Sequence, residues 1–346
     1  MEKKRFEHID FLRGVSIIGV IAIHTFSYNL TNTVSYLTWN YLNFVVVSFI
    51  FCSGYVLTYL YKDRFTTEFK VMSWYNKRLS KLIIPFYIYL AAHYALWFMF
   101  PQFFAGLGLQ KSVDFLLKSI FFIGGVDLNW LALLFIQLTL IFPFLMRALR
   151  HKKFLWGYAF LAITVALIFT FVKFPRDYYR TIMWLPWSVV LLLAMEFFLK
   201  ENTDTSSEVR IKRYIQGTFI SGILFSCLVI FHLKTDRSFQ LVDYKYPPGF
   251  FYILYGPMIT FLILMIGEEY VYKYKLLKTV SLFVSRHSYQ LYFIHFIALD
   301  FVLKLTKGLP FWSEPLIQFL FVLTISLALS VGISKSPITH KKTASR

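Results

Sequence analysis

Ten stretches of about 20 mainly apolar residues recur along this chain of 346, at roughly 11–29, 41–61, 82–100, 129–149, 154–173, 181–199, 213–233, 249–267, 288–305 and 314–334. Each is long enough to cross the hydrocarbon core of a bilayer as a helix. The chain is therefore predicted to be all-α and polytopic, with about ten transmembrane helices. Composition agrees: 16% of residues are charged, where a soluble domain carries about a quarter. The sixth stretch, with Pro186 and Glu196, departs most from the pattern. The segment 112–126 is amphipathic and too short to span, and it is placed in an outer loop.

The charge of the chain sorts by side. Of 36 Lys and Arg, 26 fall at the termini and in the loops on one side and 10 on the other. The positive-inside rule then puts both termini in the cytoplasm. The net charge of +18 accordingly reads as topology and as attraction to anionic membrane lipid, with no nucleic-acid partner. Cys52 and Cys227 lie inside apolar stretches and give neither a disulfide framework nor metal-ligand spacing, so no metal is expected. The charged start, Met1 to Arg5, looks like that of a signal peptide. The run behind it holds Arg13 and His24 and lacks a small-residue cleavage site, so it reads as a retained first helix. Asn202 to Glu208 reads as a flexible inner loop, and no internal repeat is visible.

Ionisable residues inside membrane helices are expensive and mark functional sites. The first stretch carries three: Asp10, Arg13 and His24. Eleven residues at 3.6 per turn return within roughly 20° of whole turns, so Arg13 and His24 share a face, about 16 Å apart along the axis. His24 is the candidate general base, and a guanidinium such as Arg13 holds phosphate or carboxylate through a planar fork. Taken singly, Asp10 and Arg13 read equally as membrane-edge anchors, and His24 as a histidine satisfied within the bundle. Arg78 and Lys81, three apart at the mouth of the third span, share a helical face and read either as topology-setting charge or as a phosphate clamp. Tyr292 and His295 stand inside the ninth span, where a structural hydrogen bond and a substrate role are equally open. His295 and Asp300 match an H-x4-D spacing, but five residues turn about 500°, so that pair points apart. Ser53-Gly54 predicts close helix packing. Trp130, where the fourth span leaves the outer surface, reads first as an interfacial anchor and otherwise as a substrate contact.

Together and in this order, these stretches resemble the acyltransferase 3 family of bacterial integral-membrane O-acyltransferases. Asp10-Phe-Leu-Arg13-Gly14 with His24 is similar to its opening motif. Ser53-Gly54, Asn129-Trp130-Leu131 followed by Pro143, and Ser288-Tyr289 with Tyr292 and His295 resemble its later ones. The family often carries R-x-x-R before the third span; here Lys81 replaces the second Arg, keeping charge but losing one fork. The resemblance implies a stand-alone membrane acyltransferase domain over 1–334, followed by a basic cytoplasmic tail over 335–346, in the bacterial plasma membrane. It implies transfer of a short acyl group, acetyl or succinyl, from cytoplasmic acyl-CoA to a cell-surface glycan or lipid-linked sugar. Acyl-CoA, acetyl-CoA in the first instance, is a co-substrate, and no bound cofactor is expected. His24, Arg13 and Asp10 would be catalytic, Arg78 and Lys81 would hold CoA phosphates, and Trp130, Tyr292 and His295 would contact the substrate.

Two other classes fit ten spans with buried polar groups: a transporter or flippase for a polysaccharide or lipid-linked sugar, and a non-catalytic scaffold. Transporters often show inverted repeats with helices broken at matching positions, and no such pair is visible here.

Overall fold

The computed structural model describes residues 5–62, 71–104, 108–149, 151–175, 178–201, 206–271 and 273–335. Among them the regular elements are helices: α1 (Glu7–Phe26), α2 (Thr33–Tyr41), α3 (Val45–Tyr61), α4 (Val71–Met99), α5 (Pro101–Phe104), α6 (Val113–Ile120), α7 (Asn129–Ala148), α8 (Lys152–Phe171), α9 (Tyr179–Ile182), α10 (Trp184–Lys200), α11 (Ser207–Lys234), α12 (Phe250–Tyr270), α13 (Lys275–Leu305) and α14 (Pro315–Lys335), with short 3-10 turns at Leu42–Phe44 and Leu241–Tyr244. Nine helical stretches among the described residues are long and apolar enough to cross a membrane. The chain is an all-α polytopic membrane protein. The stretch expected to be the ninth span, 288–305, is the second half of α13. At 31 residues α13 has the length to span, but His295, Asp300 and Lys304 dilute its apolar run and leave it outside the nine.

Three helices begin before their apolar stretches: α4 at Val71 rather than 82, α11 at Ser207 rather than 213, and α13 at Lys275 rather than 288. The inner loops expected over 62–81, 200–213 and 268–287 are shortened accordingly. Each extension is basic, with Arg78 and Lys81, Arg210 and Arg213, and Lys278 among its residues. Apolarity marks only the part of a helix lying in hydrocarbon. Beyond it, long cationic side chains keep their stems on apolar surface and their heads in water. Pro186 sits in the first turn of α10, where its missing N–H costs nothing, and Glu196 pairs with Lys200 at 2.8 Å, one turn on. The 112–126 segment holds the short α6, capped by the Ser112 side chain on the Phe115 N–H. Asn202 to Thr205 and the tail beyond Lys335 lie outside the described residues.

The chain divides into two compact units, and α1, α4 and α13 contribute to both. Unit 1 comprises Met1–Ser16, Asn43–Leu82 and Trp130–Leu282. Within it α12 packs against α3, α8 and α11, while α10 packs against α3 and α8. Close approach needs small residues. A Cβ on Gly54 would come within 2.9 Å of Ala194 and Leu191 of α10, so the packing expected of Ser53-Gly54 is realised at that glycine. Trp187, Tyr252, Phe51 and Phe261 fill the interior, and Ser48 and Thr260 share a buried 2.8 Å hydrogen bond between α3 and α12. α11 buries only 6% of its apolar window, and its Phe219, Ile220 and Ile223 face outward, as lipid contact requires. Cys52 is buried, whereas Cys227 lies exposed on α11 rather than in the interior.

Unit 2 comprises Ile17–Leu42, Ile83–Asn129 and Phe283–Arg346. Its core joins Ile21 of α1 to Ala298, Leu299 and Val302 of α13 and Val322 of α14. Phe26 stacks on Phe319 at 6.0 Å, and Phe86 of α4 meets Phe122 at 4.8 Å.

Candidate active site

In unit 1 the N-terminal half of α1 presents Asp10 and Arg13. Asp10 is buried and accepts a 3.1 Å hydrogen bond from Arg5 Nε. Arg13 is half-buried and reaches the Cys52 thiol of α3, where the Asp10 charge is also felt. Arg78, on the basic extension of α4, is half-buried and within electrostatic reach of Arg13. Its Nε, screened from solvent, has no hydrogen-bond partner among the described residues. The two guanidiniums repel each other across that reach, and an anion held by either fork would offset the repulsion. Lys81, one turn further, is exposed. The fold thus places Arg13 and Arg78 within electrostatic reach of each other and leaves Lys81 exposed one turn along α4.

In unit 2, the half-buried His24 lies with its ring centroid 5.4 Å from that of His295 and 4.6 Å from Phe296. His295 is fully buried. Its Nδ1 sits 3.0 Å from the Leu291 carbonyl, a contact that needs Nδ1 to donate and so leaves the lone pair of the neutral ring at Nε2. That Nε2 is buried without a hydrogen-bond partner among the described residues. Tyr292 donates its hydroxyl to the Leu128 carbonyl at 3.0 Å, and its ring stands 6.0 Å from that of His295.

Asp300 does not pair with His295. It lies 3.4 Å from Nε2 of His93, whose Nδ1 is 3.0 Å from the Tyr89 hydroxyl. This buried Tyr–His–Asp line was missed in the sequence. The signal was present, since His93 and Asp300 are both ionisable residues within apolar stretches, but nothing local pairs positions 207 residues apart.

Asn129 opens α7 and its side chain donates to the Ser119 and Gly124 carbonyls at 3.2 and 2.7 Å; Trp130 follows it in the chain. Trp130 is buried and is not the lipid-facing anchor expected of an interfacial tryptophan. In unit 1 Tyr246 meets its ring edge-on at 4.9 Å. The Lys245 ammonium stands 5.1 Å over both rings and donates to Asn43 Oδ1 at 2.9 Å. The cation–π contact and the Tyr246 ring cover Trp130 within the protein rather than leaving it against lipid.

Unit 1 also holds an ionisable network assigned to loops from sequence. Glu201 accepts from the hydroxyls of Tyr55 and Tyr214. Glu268 accepts from Arg210 Nε at 2.8 Å and lies 2.9 Å from His8 Nδ1. Among the described residues, no group of three or more His, Cys, Asp or Glu is placed to hold a metal ion.

The model of one protein family, described as an acyltransferase domain (acyltransferase 3), matches residues 6–335. No curated protein and no solved structure matches the chain.

Proposed function

The chain belongs to the acyltransferase 3 family, and from that footing we propose that it is an O-acyltransferase of the bacterial plasma membrane, with both termini in the cytoplasm, that moves a short acyl group, acetyl or succinyl, from cytoplasmic acyl-CoA to a hydroxyl of an extracytoplasmic or lipid-linked glycan. That it is a membrane acyltransferase rests on the family and the apolar helices. The donor, the acceptor and the residue roles are the proposal.

The observation that carries the reading is the histidine pair. A half-buried imidazole on α1 lies beside a second whose acceptor nitrogen has no partner among the described residues. In the reaction His24 takes the proton from the acceptor hydroxyl as its oxygen attacks the thioester carbonyl. The tetrahedral intermediate collapses, the C–S bond breaks, and the departing CoA sulfur receives the proton from His24. The products are the ester and free CoA thiol. His295, with Tyr292, bounds the place where the hydroxyl approaches, and Trp130 contributes an aromatic face to acceptor binding. Arg13 and Arg78 form the anion site for CoA phosphate, with Lys81 at its rim, and Asp10 offsets their positive charge.

The test is acyl transfer from radiolabelled acetyl-CoA by the purified protein, compared with His24→Ala. Label is expected on the acceptor with wild type and none with the variant. Equal transfer by both would overturn the assignment.

A further inference from the structure

Unit 1 carries a cleft of about 480 Å³ between the segment following α8 and the segment joining α11 to α12, within the size range of small-molecule sites. Four charged residues line it, and they cancel: Lys173 and Arg237 against Asp236 and Asp243. The rings of Phe171 and Tyr246 line it as well. The walls are tied in place. Arg237 lies over the Phe171 ring at 5.3 Å and reaches the Thr170 carbonyl at 3.4 Å. Ser238 donates to Asp243 at 2.6 Å, and the Tyr244 hydroxyl donates to the Ser238 carbonyl at 3.1 Å.

Cancelling charge is a poor match for a phosphate or an isolated cation, and four charged groups are a poor match for an acyl chain. Fixed acceptors and donors interleaved with aromatic faces suit a neutral polyol, whose hydroxyls pair with carboxylate and guanidinium while its C–H faces cover rings. We propose that this cleft binds neutral sugar residues of the acceptor. Its role in the reaction rests on the acyltransferase reading above, while the binding itself does not. Tyr246 lines the cleft and also meets Trp130, so one ring separates a bound sugar from the buried tryptophan.

The experiment uses the full-length protein in detergent micelles without acyl donor. Neutral hexasaccharides of glucose, galactose and N-acetylglucosamine are offered free and linked to a polyprenyl phosphate, and contact is read by saturation-transfer NMR. At least one sugar is expected to receive saturation at its ring C–H protons. The free and linked arms tell whether a polysaccharide or a lipid-linked sugar is the source. Phe171→Ala and, separately, the near-isosteric pair Asp236→Asn with Asp243→Asn should each weaken binding at least about tenfold, for the pair the scale of one hydrogen bond to a charged group. The dissociation constant for acetyl-CoA should not change. Silence from every sugar in both arms overturns the proposal, as does binding that survives both sets of substitutions or displacement by glycerol phosphate alone. Sugar binding without acyl transfer leaves the cleft standing and removes the reaction. Transfer without sugar binding does the reverse.

Discussion

Each buried carboxylate of the unit 1 network is held from two sides: Glu201 by Tyr55 and Tyr214, and Glu268 by His8 and Arg210. In unit 2 Asp300 meets His93 with one oxygen, while its Oδ1 has no hydrogen-bond partner among the described residues, and neither has Nε2 of His295. Leaving a buried polar atom unpaired costs about 1–3 kcal/mol. Unpaired buried side-chain atoms occur among the described residues of unit 1 as well, at Arg78 Nε and His8 Nε2, so the contrast lies in how many partners each carboxylate meets. Contact from two sides suits a carboxylate that holds helices together, and contact from one side suits a carboxylate open to a further partner, a distinction the following variants test.

That contrast can be broken in several ways. The largest effect is expected at His24. His24→Gln keeps a hydrogen-bonding group but cannot take the proton, and loss of a general base costs about 10²–10⁴ in rate. Transfer should fall by that factor while the thermal midpoint in detergent stays at the wild-type value. Wild-type turnover would make His24 a structural hydrogen-bond partner. Next comes Glu268→Ala, which leaves Arg210 without its buried partner. Breaking such a pair costs about 3–5 kcal/mol. A large drop in the thermal midpoint is expected, with turnover per folded molecule preserved. A variant equally stable yet inactive would reverse the contrast between the units. Arg78→Ala should weaken acyl-CoA binding about 10–100-fold, as for a lost hydrogen bond to a charged group, with little change in turnover at saturating donor. An unaltered dissociation constant would return Arg78 to setting topology.

The smallest effect concerns Tyr244 in the cleft wall, outside the spans. Burial pushes its phenol above the ordinary tyrosine value; Arg237 pulls it back and Asp243 adds to the rise. A raised folded-state value means the group contributes stability below the unfolded value, about 10, and loses it as pH climbs through the folded one. Stability should therefore decline above about pH 10, and Tyr244→Phe should flatten that decline slightly. A wild-type curve already flat over this interval would contradict the shift.

The helices were legible because the bilayer accepts few solutions for an apolar stretch of 20 residues. Their basic extensions were not, because apolarity ends where hydrocarbon ends while the helix continues, as at Val71 and Lys275. Of the candidate site, Arg13 and His24 could be aligned from helical period alone. The electrostatic reach between Arg13 and Arg78, and the contact of His24 with His295, needed three-dimensional packing. Glu201 and Glu268 fall between the apolar stretches, and nothing local shows that Tyr55, Tyr214, His8 and Arg210 converge on them. Trp130 followed the composition of an interfacial belt, and only the fold shows Lys245 and Tyr246 covering it.

α11 runs for 28 residues, about 42 Å at 1.5 Å per residue, against a hydrocarbon core of about 30 Å. The surplus is its cationic first turns, and Arg210 within them holds Glu268. A helix bathed in lipid along most of its surface adjusts its tilt to membrane thickness. In a thicker membrane those turns are drawn toward the acyl chains, where Arg210 meets a carboxylate while the neighbouring Lys212 stands exposed and must stretch for the headgroups. Hydrophobic mismatch thus bears on this end of α11, where a change of tilt moves the Arg210–Glu268 pair relative to the headgroups.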